Sequence, residues 1–143
     1  MKVYILLFHL LIRNMKRPIL YTLVRVLAGL MFVFSGVTKV FPTLIPMKEP
    51  ELGAAATKLM EGFMAAGYFL PVLGLSELII GLMLLFNFWP ALATLMLVPI
   101  SLNILLVNVF LVPSGMIVGI LVVLFNAYLV YHHWERYKYL IKK

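Results

Sequence analysis

Apolar residues run along this chain in long blocks separated by short polar breaks, without the strict alternation of a half-buried strand. Blocks that are hydrophobic all round read as helices surrounded by lipid or by other helices. The first predicts a span over residues 19–41, with Pro18 placed at a helix start and Pro42 just beyond its end. Further spans are predicted over 70–88, 90–111 and 115–133, each close to the roughly 20 residues that one crossing takes. The breaks at 87–90 and 112–114 leave room only for tight turns, so consecutive spans are antiparallel neighbours. The expected fold is all-α, an integral-membrane, up-down-up-down four-helix bundle over 19–133.

Two further helices and a tail are expected outside the spans. Residues 1–18 form a basic and apolar extension in which Lys2 precedes an apolar run over 3–12, as in a signal peptide. Arg13, Asn14, Met15, Lys16 and Arg17 offer no small-residue cleavage site, so the extension is read as a short cytoplasmic or interfacial helix, with Met15 an alternative translation start. After a proline-rich loop, Leu52, Ala55, Ala56, Leu59, Phe63 and Ala66 recur at helical spacing while Lys58 and Glu61 point away. That is an amphipathic helix over 51–67, lying on the outer membrane surface or lidding the bundle. Residues 134–143 form a basic tail.

Composition sharpens the reading. The 143 residues are 64% hydrophobic and 12% charged, with a mean hydropathy of +1.09, whereas soluble domains carry about 25% charged residues. This excludes a disordered chain, a nucleic-acid module and most soluble enzymes. The net charge is +7, and it is carried mainly beside the apolar blocks. Lys2, Arg13, Lys16 and Arg17 precede the first span and Arg136, Lys138, Lys142 and Lys143 follow the last. Both termini are therefore expected in the cytoplasm, where basic residues meet anionic lipid. Trp89, Tyr128, Tyr131, Trp134, Tyr137 and Tyr139 read as interfacial anchors. Cysteine is absent, which removes disulfides, thiolate metal sites and dithiol redox chemistry. His9, His132 and His133 and the scattered methionines suggest no metal site, and no phosphate loop, nucleophile elbow or paired carboxylate is present.

What remains to explain is charge inside the spans, since Arg, Lys or Asp in a membrane helix costs at least ~2.5–3.5 kcal/mol and normally faces the bundle interior. Arg25, Gly29, Phe32, Gly36 and Lys39 fall on one face of the first span, and Gly74, Glu77 and Gly81 on one face of the second. Small residues let membrane helices approach closely, so Gly29, Gly36, Gly74 and Gly81 are assigned to helix packing and the two faces are expected to meet. By helical rise Glu77 lies roughly 10 Å below the outer boundary, in a layer with Lys39 and Asn103, and Arg25 lies roughly 10 Å deeper. Asn108 and Ser35 are near enough to join, and Asn126 is the expected fourth wall. Arg25, Lys39, Glu77, Asn103 and Asn126 are thus the candidates for ligand binding or proton exchange. The plainer alternative is that Glu77 pairs with Lys39 or Arg25 and the asparagines only fix how the spans pack.

These residues also carry a resemblance. An arginine early in the first span, a glycine three residues before a lysine at its outer end, and Glu77 followed four residues later by Gly81 resemble the pattern of the DoxX family of small bacterial membrane proteins. The matching positions are Arg25, Gly36, Lys39, Glu77 and Gly81. The resemblance implies a multi-pass protein of the bacterial plasma membrane, related by family name to thiosulfate–quinone oxidoreduction and to membrane complexes that handle thiol or oxidative stress. It leads to the expectation of an accessory subunit for a membrane redox partner, more a binding component than an autonomous enzyme, with no cofactor of its own and a quinone as candidate ligand. Two alternatives stand beside it. One is a small transporter or proton pathway through Glu77, which at four spans needs a second copy of the chain and has Gly115 and Gly119 as a helix-contact motif. The other is a structural scaffold.

Overall fold

The computed structural model describes the backbone of residues 2–45 and 52–141 and the side chains of 19–45 and 52–140. Among these residues every regular element is helical: α1 (Lys2–Val40), α2 (Ala54–Ala66), α3 (Phe69–Leu85), α4 (Pro90–Phe110), a 3-10 turn (Pro113–Gly115), α5 (Met116–His132) and α6 (Trp134–Ile141). Ile19–Val40, Pro90–Phe110 and Pro113–His132 are each long and apolar enough to cross a membrane. α3 has 17 residues, about 26 Å of helix at 1.5 Å per residue. Together with α2, which leaves it at a bend of 91°, it supplies a fourth candidate span.

Two boundaries and one helix face differ from the sequence expectation. The extension is not a separate short helix, because α1 passes unbroken through Pro18. A proline inside a helix forfeits one backbone hydrogen bond, whereas ending one helix and starting another orphans four carbonyls and four amides. The second span stops at Leu85, short of residue 88, because Asn87 (φ 55°) and Trp89 (φ 43°) turn left-handed and reverse the chain. Apolarity alone does not separate a helix end from an interfacial turn. In α2, Ala56 is buried and Leu59 and Phe63 are half-buried, but Ala55 and Ala66 remain exposed. Its inward face is therefore narrower than the pattern implied, and Phe63 anchors it by stacking on Phe69 with ring centroids 4.2 Å apart.

The long helices form an antiparallel ring. α1 lies against α3 and α4 against α5 in two extensive contacts, and α3–α4 and α1–α5 contacts close the circle. One end of the ring carries Lys39, α2 and the 3-10 turn, and is called the loop end below. The other, the tail end, carries the 86–89 turn and α6. The core is thin: Ala28 and Phe32 of α1, Ile80 and Leu84 of α3, Ala93 and Leu97 of α4, and Val122 and Leu129 of α5. Outside it, Leu23, Phe34, Leu75, Leu102 and Leu124 are all about half exposed. A nearly continuous apolar exterior of this kind has lipid as its solvent.

The α1–α3 contact is the closest in the molecule because glycines face backbone across it. A Cβ on Gly36 would sit 2.6 Å from the Gly74 carbonyl oxygen and 2.6 Å from the Leu78 nitrogen. One on Gly81 would sit 2.7 Å from the Val33 nitrogen, and one on Gly29 would press on Leu85 at 2.9 Å. Backbone cannot rotate away as a side chain can, so any substituent pushes the helices apart. Gly115 of the 3-10 turn and Gly119 of α5 both face the Asn108 side chain of α4; their motif serves a contact within the chain. Gly36→Ala is expected to destabilise the protein in detergent by about 1–3 kcal/mol. Gly62→Ala, in α2 with open space around it, is expected to be neutral or slightly stabilising, as Ala exceeds Gly in helix propensity by about 1 kcal/mol. Thermal unfolding followed by circular dichroism measures both.

Candidate functional site

One turn of α1 separates Ser35 from Lys39, so both side chains leave the same face. Gly36 beside them lets α3 come close enough to present Glu77. The Glu77 side chain is 1% exposed, and its Oε2 accepts from Lys39 Nζ at 2.7 Å and from Ser35 Oγ at 2.8 Å. Lys39 Nζ also donates to Ser35 Oγ at 2.6 Å. The three groups form a closed triangle, so the carboxylate is compensated both by a cation and by a hydroxyl. An uncompensated charge at this depth would be strongly unfavourable.

The Lys39 side chain is 28% exposed, and the side it exposes opens on a cavity of about 330 Å³ between α3 and α4. The volume is within the range of small-molecule pockets. Phe63 and Phe69 roof it, Leu73 lines the α3 side, and Pro99, Ile100, Ile104 and Val107 line the α4 side. Polar groups enter at only a few points: Lys39, Glu77, Asn103 and Asn108. Asn108 donates its amide to the Ile104 carbonyl at 2.7 Å, leaving the solvent-facing Asn103 as the polar group of α4 with no hydrogen bond among the described residues. The arrangement suits a ligand that is mostly apolar with one hydrogen-bonding head. Lys39 has three N–H donors, and the triangle uses two of them.

The structure does not bring Arg25 or Asn126 to this cavity. Arg25 is three to four turns from Lys39 along α1, about 21 Å at the helical rise. It is 8% exposed and donates Nη1 to the carbonyls of Leu84 and of Leu85, the latter at 3.1 Å. These are the last carbonyls of α3, past its final intrahelical donors; that of Leu84 also accepts from the Asn87 N–H of the turn at 3.3 Å. In lipid such groups need a donor, and a cation also suits the negative end of the helix dipole. Arg25 therefore closes the α3 terminus. Asn126 is buried in α5, with no hydrogen-bond partner for its Nδ2 among the described residues. α5 packs against the other side of α4 and of α1, and none of its described residues lines the cavity. Helical spacing gives a residue's face and depth, but not which helix stands opposite.

A second group of side chains ties the tail end together; the sequence marked Tyr137 among them as an interfacial anchor and His133 only as a weak metal-ligand candidate. Tyr21 donates to His133 Nε2 at 3.3 Å, and His133 Nδ1 donates to the Leu129 carbonyl at 2.9 Å. Tyr137 of α6 donates to the Ala91 carbonyl at 2.6 Å and meets Thr94 Oγ1 at 2.6 Å. The one available signal for Tyr21 was its place a turn before Arg25 on the same face. Phe63, Phe69 and Pro99 gave no such signal, being ordinary apolar residues until the fold encloses a space between them.

Replacing Glu77 alone by Leu strands Lys39 and is expected to cost roughly 3 kcal/mol, while the double variant Lys39→Leu, Glu77→Leu recovers most of that loss. Chemical unfolding of the purified variants measures the difference. At the tail end, burial pushes His133, just past the α5 span, below its usual value of 6.5, with Arg136 and His132 adding to the effect and the Leu129 hydrogen bond opposing it. A depressed folded-state value means that the folded chain binds fewer protons than the unfolded one, so stability is full above about pH 6.5 and falls as pH drops below it. The melting temperature is expected to fall between pH 7.5 and 5, and His133→Gln to flatten that slope.

No curated protein and no solved structure matches the chain. The model of one family, DoxX, matches residues 20–112, a stretch that contains Arg25, the Gly36–Lys39 turn and the Glu77–Gly81 turn as well as the cavity walls on α3 and α4. With a match over well more than half of its length and an apolar helical bundle to go with it, this integral-membrane chain belongs to the DoxX family.

Proposed function

We propose that the chain is an accessory subunit of a membrane redox system, and that its loop-end cavity receives the polar head of a lipophilic, quinone-like carrier. The observation that carries this reading is the cavity itself: apolar walls ending at one ammonium group that is already held in place. Glu77 and Ser35 orient Lys39, its remaining N–H donates to a carbonyl oxygen of the bound head, and Asn103 offers a second donor from the opposite wall. A group oriented before binding loses little entropy on binding. The chain has no cysteine, so the electrons come from a partner redox protein, and the role of this subunit is to bind and position the carrier. With the basic ends placed in the cytoplasm of a bacterium by the positive-inside rule, the cavity faces the outer half of the plasma membrane.

Equilibrium binding of decylubiquinone to the detergent-purified chain tests the reading. Saturable binding is expected, weakened about tenfold by Lys39→Met, which removes a charge-assisted hydrogen bond, and less by Asn103→Ala. Absence of saturable binding overturns it. If Glu77→Gln then lowers proton or solute flux in proteoliposomes, the permeation reading takes its place; if Glu77→Gln changes only the melting temperature, the ion pair is a packing device.

A further inference from the structure

The tail end holds a second cavity of opposite character, about 420 Å³, between the 86–89 turn and the junction of α5 with α6. Polar groups from several elements line it: Tyr21 of α1, Asn87 of the turn, His132 of α5 and Arg136 of α6. Arg136 is exposed and makes no ion pair with a described residue. The described acids nearby do not cancel it. Glu135 is held by Lys138 at 2.6 Å, and Glu77 is engaged at the other end of the bundle. Pro90, at the start of α4, also lines the cavity, so the positive end of that helix dipole adds to the field of the guanidinium.

Trp89 lines this cavity and also bounds an apolar groove of about 700 Å³ between α3 and α4, formed with Leu82, Met83, Phe86, Leu92 and Met96. Its backbone is left-handed (φ 43°, ψ 52°), an uncommon conformation for so bulky a residue, and its ring stacks on Phe88 with centroids 4.7 Å apart. The turn thus holds one aromatic plane between a cationic compartment and an apolar one. Exposed Tyr131, Trp134 and Tyr139 surround the same end, which is the aromatic signature of headgroup depth.

We infer that this end of the protein binds one anionic glycerophospholipid, its phosphate against Arg136 and Asn87 and an acyl chain lying past Trp89 in the α3–α4 groove. The site is separate from the loop-end cavity and does not depend on the function proposed for it. A guanidinium donates to two phosphate oxygens at once, and basic pockets between membrane helices are recurrent sites for acidic lipid heads. The groove decides between sources of phosphate. A soluble anion fills only the polar compartment, whereas a phospholipid fills both compartments across the one residue they share.

Native mass spectrometry of the full chain, titrated in detergent with dioleoylphosphatidylglycerol or dioleoylphosphatidylcholine, reads the site directly. The expected result is one retained phosphatidylglycerol bound several-fold more tightly than the choline lipid, with Arg136→Gln weakening it about tenfold, the loss of a charge-assisted contact. Met83→Trp, which fills the groove and leaves Arg136 in place, is expected to weaken it as well; Asn87→Ala supplies a second variant on the polar side, and circular dichroism establishes that each variant is folded. Equal retention of the two lipids, or indifference to both Arg136→Gln and Asn87→Ala, overturns the inference. Displacement of the lipid by millimolar sn-glycerol 3-phosphate, with Met83→Trp having no effect, also overturns it and assigns the cavity to a soluble anion.

Discussion

A carboxylate that is 1% exposed inside a lipid-facing bundle has to be matched within a few ångströms, because an uncompensated buried charge is strongly unfavourable. Glu77 is matched by Lys39 and Ser35 from a single neighbouring helix, and that match is possible only because α1 and α3 touch backbone to backbone at Gly36 and Gly74. Glycine contact and ion pair depend on each other. The glycines bring the charges within hydrogen-bonding distance, and the charges give a direction to an approach that apolar packing in lipid drives only weakly.

The looser α3–α4 contact follows from the same arrangement. With α3 held against α1, its other side meets α4 less closely, and Pro99 within α4 leaves one carbonyl of that helix without its usual donor. The gap at the loop end is roofed by α2, whose sharp bend from α3 lays Phe63 over Phe69. A rigid charged floor, apolar sides and an aromatic roof result from one tight helix pair, one loose pair and a helix lying across them. At the tail end the loose pair opens again, there beside basic and aromatic residues.

Arg25 shows how membrane physics reassigns a charge that looks catalytic. It is on the same face as Lys39 and belongs to the same family pattern, yet its guanidinium is taken up by the carbonyl end of α3. Water would satisfy those carbonyls in a soluble protein. In lipid the chain has to supply the donor itself, and the arginine that does so also lies near the Tyr21 ring, 6.0 Å from its centroid, within cation–π range.

The order of the apolar blocks, their antiparallel sense and the existence of a helix before the second block were legible in the sequence, because bilayer thickness and helical rise translate hydrophobic length directly into spans. So was the meeting of Lys39 with Glu77, since glycines at helical spacing marked the two faces that had to approach. The cavity was not legible, nor was the separation of Arg25 and Asn126 from it. Periodicity reports the angle of a side chain about its own helix axis, whereas a pocket depends on which helix stands opposite and how far away. That choice was made by the ring order of α1, α3, α4 and α5, a property of all the contacts at once that no single stretch of residues encodes.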